Sequence, residues 1–325
     1  MKAPKLPSSL SDVWPGGFAV PNPCWIRSVA AAGGTVLAGG EQIYLLRPGA
    51  TRFASRPLPT GVGDAVAVGV DPRCRGRMAV ACAYGLVLFE GKNLAVARTL
   101  DRASEFAEVA WGPATGKRGS DLYILNTVGT VLRLSPGAPG FEQLDLPPVR
   151  AMTCDEKGQL TYACFDEDDW SLDVHVHTES GLEITHVLEA PAAMSYVYLA
   201  RAGEALAVGF EDGGVWLTRR VTEPRLSCVE SLSGGPVAFQ GPDAAGALFG
   251  LKIEEKVRGL IRVDANGAAA RIGELEMPET EKLRRGVEQL AWDATRKTLW
   301  AAVGRAGVLA STAPGAPLPG AGVLS

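Results

Sequence analysis

The stretch DVHVHTESGLEITH holds all three histidines of the chain, and their spacing is the first that suggests chemistry. Alternation along an extended strand puts His175 and His177 on one face. Glu179, Ser180 and Gly181 suit a three-residue hairpin loop with Gly in the left-handed position. That register sets His177 opposite Glu183, His175 opposite Thr185, and His186 opposite Val174 on the other, apolar side. A three-histidine metal site fails on this register. A His175/His177/Glu183 cluster remains, and a solvated strand face is the simpler reading of it. The run Asp166, Glu167, Asp168, Asp169 lacks the Gly and the spacing of an EF-hand loop, so it reads as an acidic turn or a partner surface. The six cysteines form no C-x-x-C pair, and most sit in apolar runs such as MAVAC. They read as buried thiols in a reducing compartment, not as a zinc knuckle or a redox site. No nucleophile elbow, phosphate loop or dinucleotide fingerprint occurs. Neither a cofactor nor a metal is expected.

Composition narrows the classes further. Lys and Arg number 32 against 36 Asp and Glu, a formal net charge of -4, which argues against a dedicated nucleic-acid binder. No apolar window reaches membrane-spanning length, and no signal-type apolar run follows Lys2 and Lys5. A cytoplasmic protein without nucleic-acid or membrane partners is the expectation.

The elements that must position these residues repeat along the chain. With 39 Gly and 22 Pro in 325 residues, the sequence is punctuated for many short strands. An apolar triplet, a turn, a second apolar strand, a Gly turn and a third strand recur. The clearest copies are AEVAWGPATGKRGSDLYILNTVGTVLRLSPG from Ala107 and VEQLAWDATRKTLWAAVGRAGVLAS from Val287. Anchored on Ala30, Val68, Trp111, Thr153, Leu199, Phe239 and Trp292, the copies are 38, 43, 42, 46, 40 and 53 residues apart. That period, with four strand-like runs per unit, predicts an all-β, seven-bladed β-propeller of four-stranded antiparallel blades. Second strands are expected at 36–38, 78–82, 122–125, 160–164, 206–210, 248–251 and 299–303. Third strands are expected at 43–46, 86–89, 131–134, 172–176, 215–218, 260–263 and 308–311.

The seventh copy lacks a fourth strand, because TAPGAPLPGAGVLS follows Ser311. Residues 13–20 are expected to fill that place and close the ring. The expected organisation is a flexible tail at 1–12, a single propeller domain at 13–312 and a Pro/Gly-rich tail at 313–325. Pro278, Glu279 and Glu281 at one end and Arg284, Arg285 and Gly286 at the other predict a short helix between blades six and seven.

The copies around VAWGP (Val109 to Pro113) and LAWDA (Leu290 to Ala294) resemble WD-repeat propellers across roughly residues 13–312. The Trp-Asp pair that ends the third strand in that family is missing. The strands continue instead as Arg47-Pro48, Glu90-Gly91 and Leu134-Ser135, and the family's Gly-His pair is missing as well. The buried hydrogen-bond tetrad of the family is therefore not carried over. The resemblance implies a ring that scaffolds protein partners and transfers no functional residue.

In catalytic propellers carboxylates or His line the central channel, and the matching positions here are Arg27, Ala65, Glu108, Arg150, Tyr196, Pro236 and Gln289. The set is mixed, and Glu108 with Arg150 is the pair that could act. Sorting charge by turn is more telling. Turns between first and second strands hold Arg73, Arg75, Arg77, Lys117, Arg118, Arg296 and Lys297. Turns between second and third strands hold Asp166, Glu167, Asp168, Asp169, Glu211, Asp212, Glu254 and Glu255. A basic rim and an acidic rim for docking proteins are expected. The leading reading is a non-enzymatic interaction scaffold within a larger assembly. The alternatives are a metal-assisted hydrolase or lactonase, and a small-ligand sensor using Trp14, Trp25, Trp170 or Trp216 as stacking platforms.

Overall fold

The computed structural model describes residues 25–50, 53–73, 76–90, 95–101, 106–113, 119–178, 181–190, 196–211, 213–241, 246–254, 257–276, 288–304 and 307–312. Seven antiparallel sheets follow one another along the chain. Blade 1 comprises β1 (Ser28–Ala32), β2 (Thr35–Gly39), β3 (Gln42–Leu46) and β4 (Ala54–Pro57). Blade 2 comprises β5 (Ala65–Val70), β6 (Met78–Cys82), β7 (Gly85–Glu90) and β8 (Ala95–Asp101). Blade 3 comprises β9 (Phe106–Pro113), β10 (Ser120–Asn126), β11 (Val131–Leu134) and β12 (Glu142–Gln143). Blade 4 comprises β13 (Val149–Cys154), β14 (Leu160–Asp166), β15 (Ser171–His177) and β16 (Glu183–Glu189). Blade 5 comprises β17 (Val197–Ala202), β18 (Ala205–Phe210), β19 (Val215–Thr218) and β20 (Ser227–Cys228). Blade 6 comprises β21 (Gly234–Phe239), β22 (Leu248–Ile253), β23 (Val257–Val263) and β24 (Ala269–Glu276). Blade 7 comprises β25 (Gln289–Asp293), β26 (Thr298–Val303) and β27 (Gly307–Thr312).

The first strand of each blade touches the first strand of the next, and β25 returns to β1, so the sheets form a closed seven-bladed propeller. The second strands are buried along their whole length in β2, β6, β18 and β26, as expected of strands packed on both faces. Each apolar cluster joins two neighbours. Leu37 and Ile43 of blade 1 meet Val68 and Val80 of blade 2. Val36 and Tyr44 of blade 1 meet Trp300 of blade 7. Blades approach closely where Gly permits it: a Cβ on Gly39 would lie 2.6 Å from Val68 Cγ1.

Just ahead of β1, Ile26 donates its N–H to Gly304 O at 2.9 Å and is fully buried, which stitches the start of blade 1 to blade 7. The closing strand at 13–20, the helix at 278–286 and both tails lie outside the described residues. Among the described residues there is no helix, and none is long and apolar enough to cross a membrane.

Candidate functional site

Antiparallel order places the turns between first and second strands, with those between third and fourth, on one face of the ring, here termed the lower face. The turns between second and third strands and the connections between blades form the upper face.

On the lower face three inner strands end in a buried aspartate. Asp71 follows β5, Asp155 follows β13 and Asp293 ends β25; all are 3% exposed or less. One oxygen of each caps its own turn. Arg73 N donates to Asp71 Oδ1 at 2.9 Å. Lys157 N and Gln159 N donate to Asp155 Oδ1 at 3.0 and 2.7 Å. Thr295 N donates to Asp293 Oδ1 at 2.9 Å. The other oxygen faces an arginine: Arg77 at 3.6 Å, Arg201 at 3.5 Å and Arg296 at 3.6 Å. The same aspartates reach the next blade. Ser120 Oγ of blade 3 donates to Asp71 at 2.6 Å, Arg201 belongs to blade 5, and Gly34 N of blade 1 donates to Asp293 at 3.3 Å.

These pairs decide how the basic turns are used. Arg77 lies over the Trp111 ring at 5.0 Å and donates to Glu90 at 3.1 Å. Arg296 donates to the carbonyls of Gly34 at 2.9 Å and Arg47 at 2.6 Å. Both are therefore engaged inside the ring. Arg73 and Lys297 are exposed on their turns. Arg75, Lys117 and Arg118 lie outside the described residues.

The acids of the upper face stand differently. Asp166 is half-buried and accepts from Asp168 N at 2.9 Å and Asp169 N at 3.3 Å, which shapes the turn. Glu167, Asp168 and Asp169 are exposed on it. Glu211 N donates to Tyr196 O at 3.0 Å, and Glu254 pairs with Arg271. Asp212 and Glu255 lie outside the described residues. Further exposed acids, Glu41, Asp64, Asp145, Glu189 and Glu230, join them on this face. Tyr84, Val128, Trp170 and Tyr196 are exposed there too. Charge sorting missed this apolar set. Its signal was a large apolar residue where a polar one is usual, in the turns AYGL, TVGT and DDWS.

Between the faces runs a channel of about 960 Å³, lined by inner-strand residues with Trp25, Ala83, Thr127 and Tyr196 towards its upper mouth. Glu108 is half-buried there and accepts the Met152 N–H at 2.8 Å. Burial pushes its carboxyl up to about 7, against the lowering effect of that hydrogen bond. The side-chain oxygen of Gln289 accepts from Val29 N at 3.0 Å, and Ser28 Oγ accepts from Val68 N at 3.0 Å. Two of the expected channel positions, Glu108 and Gln289, thus tie neighbouring blades together. Arg150 is exposed. Across the seam between blades 5 and 6, Arg219 donates to Asp264 O at 2.9 Å.

The histidine hairpin has the register read from its loop: His177 faces Glu183, His175 faces Thr185 and His186 faces Val174. Gly181 takes a φ of 75°. Tyr162 completes the cluster, stacked on His175 at 4.8 Å and donating to Glu183 at 3.1 Å, while His175 Nδ1 lies 2.8 Å from Glu183. Among the described residues no group of three or more His, Cys, Asp and Glu is placed to hold a metal ion. Cys82, Cys154, Cys164 and Cys228 are free thiols. Burial pushes those of Cys82 and Cys164 up to about 12, so they stay protonated and unreactive at neutral pH. Of the tryptophans weighed as platforms, Trp25 lines the channel, Trp170 is exposed, and Trp216 packs edge-on against Phe210 at 5.1 Å. Trp14 lies outside the described residues.

No family model matches the sequence, and no curated protein matches it. Solved structures do. The chain is similar to the Cps50 (Swd1) β-propeller domain of Myceliophteria thermophila, at a TM-score of 0.65 and 13% identity over 90% of this chain and 98% of that one. It is similar to a chain of the mitotic checkpoint complex, at a TM-score of 0.65 and 10% identity over 91% and 92%. It is also similar to virginiamycin B lyase from Staphylococcus aureus, at a TM-score of 0.61 and 12% identity over 89% and 95%. At these identities the likeness concerns the fold: a WD-repeat-like seven-bladed propeller.

Proposed function

We propose that the chain is a non-enzymatic protein-interaction scaffold, a propeller subunit of a larger cytoplasmic assembly. One observation carries this reading: the upper face presents large apolar side chains in the open, among exposed carboxylates. Tyr and Trp side chains are over-represented among the anchors of protein interfaces. The similarity to a chain of the mitotic checkpoint complex supports it, since that chain sits within an assembly. The acidic turns Asp166 to Asp169, Glu211, Asp212, Glu254 and Glu255 form the docking rim. Of the seven residues of the proposed basic rim, Arg73 and Lys297 are described and exposed, and Arg75, Lys117 and Arg118 complete the proposal. The acidic upper face repels phosphate, and proteins are proposed as the partners in place of nucleic acid or an anionic membrane.

The test is affinity capture with quantitative mass spectrometry, comparing the native chain with a variant carrying Asp166→Lys, Asp168→Lys and Asp169→Lys. Partners recovered with the native chain are lost with the variant; equal recovery counts against the acidic rim.

A second reading rests on Glu108, a carboxyl that titrates near neutral pH inside the channel and is thus poised to exchange a proton. It would make the channel the site of a propeller-type hydrolase or a small-ligand sensor, and the similarity to a lyase is in keeping with it. Metal analysis of the purified protein, with screening of small molecules for thermal stabilisation that Glu108→Gln abolishes, separates it from the first.

A further inference from the structure

The scaffold reading leaves open what the upper face holds, and its side chains narrow the answer. Tyr84, Val128, Trp170 and Tyr196 occur in blades 2, 3, 4 and 5, so they follow one another around the rim. They are 67%, 69%, 53% and 47% exposed. Among the described residues seven large apolar side chains are exposed, and Ile253 puts a fifth on this same face, leaving Leu182 and Val187 elsewhere. Ala83 and Thr127, which adjoin Tyr84 and Val128, line the channel, as does Tyr196 itself. Tyr84, Val128 and Tyr196 therefore border the upper mouth of the channel, and Trp170 stands on the same face without lining it.

The turns that present the arc are built in advance. Tyr84 N donates to Val62 O at 2.8 Å, and the Asn126 side chain receives Val128 N at 3.2 Å and Thr130 N at 2.8 Å. Asp166 shapes the turn that carries Trp170. A partner meets a formed surface and is spared much of the ordering cost.

Among the described residues the exposed charge along this surface is mostly negative. Asp64, Asp145, Glu167, Asp168, Asp169 and Glu189 are exposed along the arc, against Arg27 and Arg150. Aromatic faces beside carboxylates suit a side chain with an apolar stem and a cationic head, which is Lys or Arg. Resting on the scaffold reading, we propose that the arc from Tyr84 to Tyr196 binds a Lys- and Arg-bearing peptide segment of a protein partner, laid over the upper mouth of the channel. A second copy stacked lower face to upper face is the competing occupant. Arg77, Arg201 and Arg296 are committed to Asp71, Asp155 and Asp293, but Arg73 and Lys297 stand exposed on that face, and self-association of the chain would reveal it.

Panning a phage-displayed random 12-residue peptide library against the full chain tests this, with affinities of the selected peptides measured by fluorescence polarisation. The expected winners carry two or more Lys or Arg with at least one apolar residue. Their binding weakens as salt is raised. It falls about tenfold or more in Trp170→Ala and in Tyr84→Ala, as for buried anchors of an interface, and likewise in the paired Asp168→Lys, Asp169→Lys variant. Arg225→Glu, in the exposed lower-face turn between β19 and β20, leaves it unchanged. These side chains are exposed, and matching thermal melts confirm that the variants fold. Winners without cations, an empty selection, or affinity indifferent to Trp170→Ala overturns the proposal. So does concentration-dependent self-association that Trp170→Ala abolishes. Peptides lost on Arg225→Glu instead overturn it and leave the scaffold reading standing. An empty selection together with no partner in affinity capture removes both.

Discussion

The two faces of the ring spend the same residue type on opposite purposes. Asp71, Asp155 and Asp293 on the lower face are buried, cap a turn and hold an arginine. Asp168 and Asp169 on the upper face are exposed and face water. A carboxylate at the end of an inner strand is walled in by the next blade, so it must find donors and a counter-ion. A carboxylate at the tip of a turn between second and third strands projects beyond the blades and keeps its hydration. Charge in this fold therefore reads by depth along the strand as much as by sign. Asp71, Asp155 and Asp293 are part of the frame, and the exposed acids of the upper turns are part of the surface field.

The sharpest way to break this contrast is Asp155→Ala. The side chains of Asp155 and Arg201 are each 1% exposed. The substitution takes the buried counter-ion from a guanidinium whose hydrogen bonds to Thr161, His177 and Gln159 all go to uncharged oxygens. A loss of about 3–5 kcal/mol in unfolding free energy is expected, measured by denaturant titration. A loss under about 1 kcal/mol, the range of an exposed pair, would erase the distinction.

Two further buried groups give slopes of opposite sign with pH. Burial lowers the His186 pKa from its ordinary 6.5, so the native state resists its protonation. The stability it permits is present above that value and lost as pH falls, by at most about 1.4 kcal/mol per pH unit for one proton. His186→Leu should narrow the fall in Tm between pH 7.5 and 5. Glu108 runs the other way. Its carboxyl is raised from 4.5 to about 7, so the native state prefers the protonated form, and stability is lost as pH rises through that window. Glu108→Gln keeps an oxygen for Met152 N and should raise Tm at pH 8 while leaving it unchanged at pH 4.

On the upper face stability effects should be small. Trp170 holds a φ of 52°, a conformation that suits Gly better than a bulky residue. Trp170→Gly is expected to change unfolding free energy by about 1 kcal/mol or less, relief of backbone strain offsetting the lost packing on Phe165. Smallest of all, Asp168→Lys with Asp169→Lys should stay within about 0.5 kcal/mol per site in the same titration. Large losses from either would make the upper turns part of the frame as well.

Much of the ring was legible because Gly and apolar triplets punctuate it at a steady period. Strands β6, β11 and β19 have the ends that the apolar runs indicate. The histidine register followed from the position of one Gly. The fourth strands of blades 3 and 5 shrink to two residues each, a detail that the polar segments there do not announce. The buried aspartates were also hidden. An Asp after an apolar run looks like any turn residue, and its arginine lies 6 residues on in blade 2 but 46 on in blade 4. Pairing across that distance depends on which blade lies beside which. Arg77 and Arg296 were sorted with the basic turns for the same reason: sequence gives their charge and not the carboxylate beneath them.

Among the described residues, named polar ties bridge six seams between blades. Ser28 with Val68, Asp71 with Ser120, Glu108 with Met152, Arg201 with Asp155, Arg219 with Asp264 and Gln289 with Val29 each bridge a different seam. Between blades 6 and 7 stand apolar contacts, with Phe249 stacked on Trp292 at 5.6 Å. A pull on the circumference would thus be met at those six seams by groups that must break a named hydrogen bond or ion pair before they part.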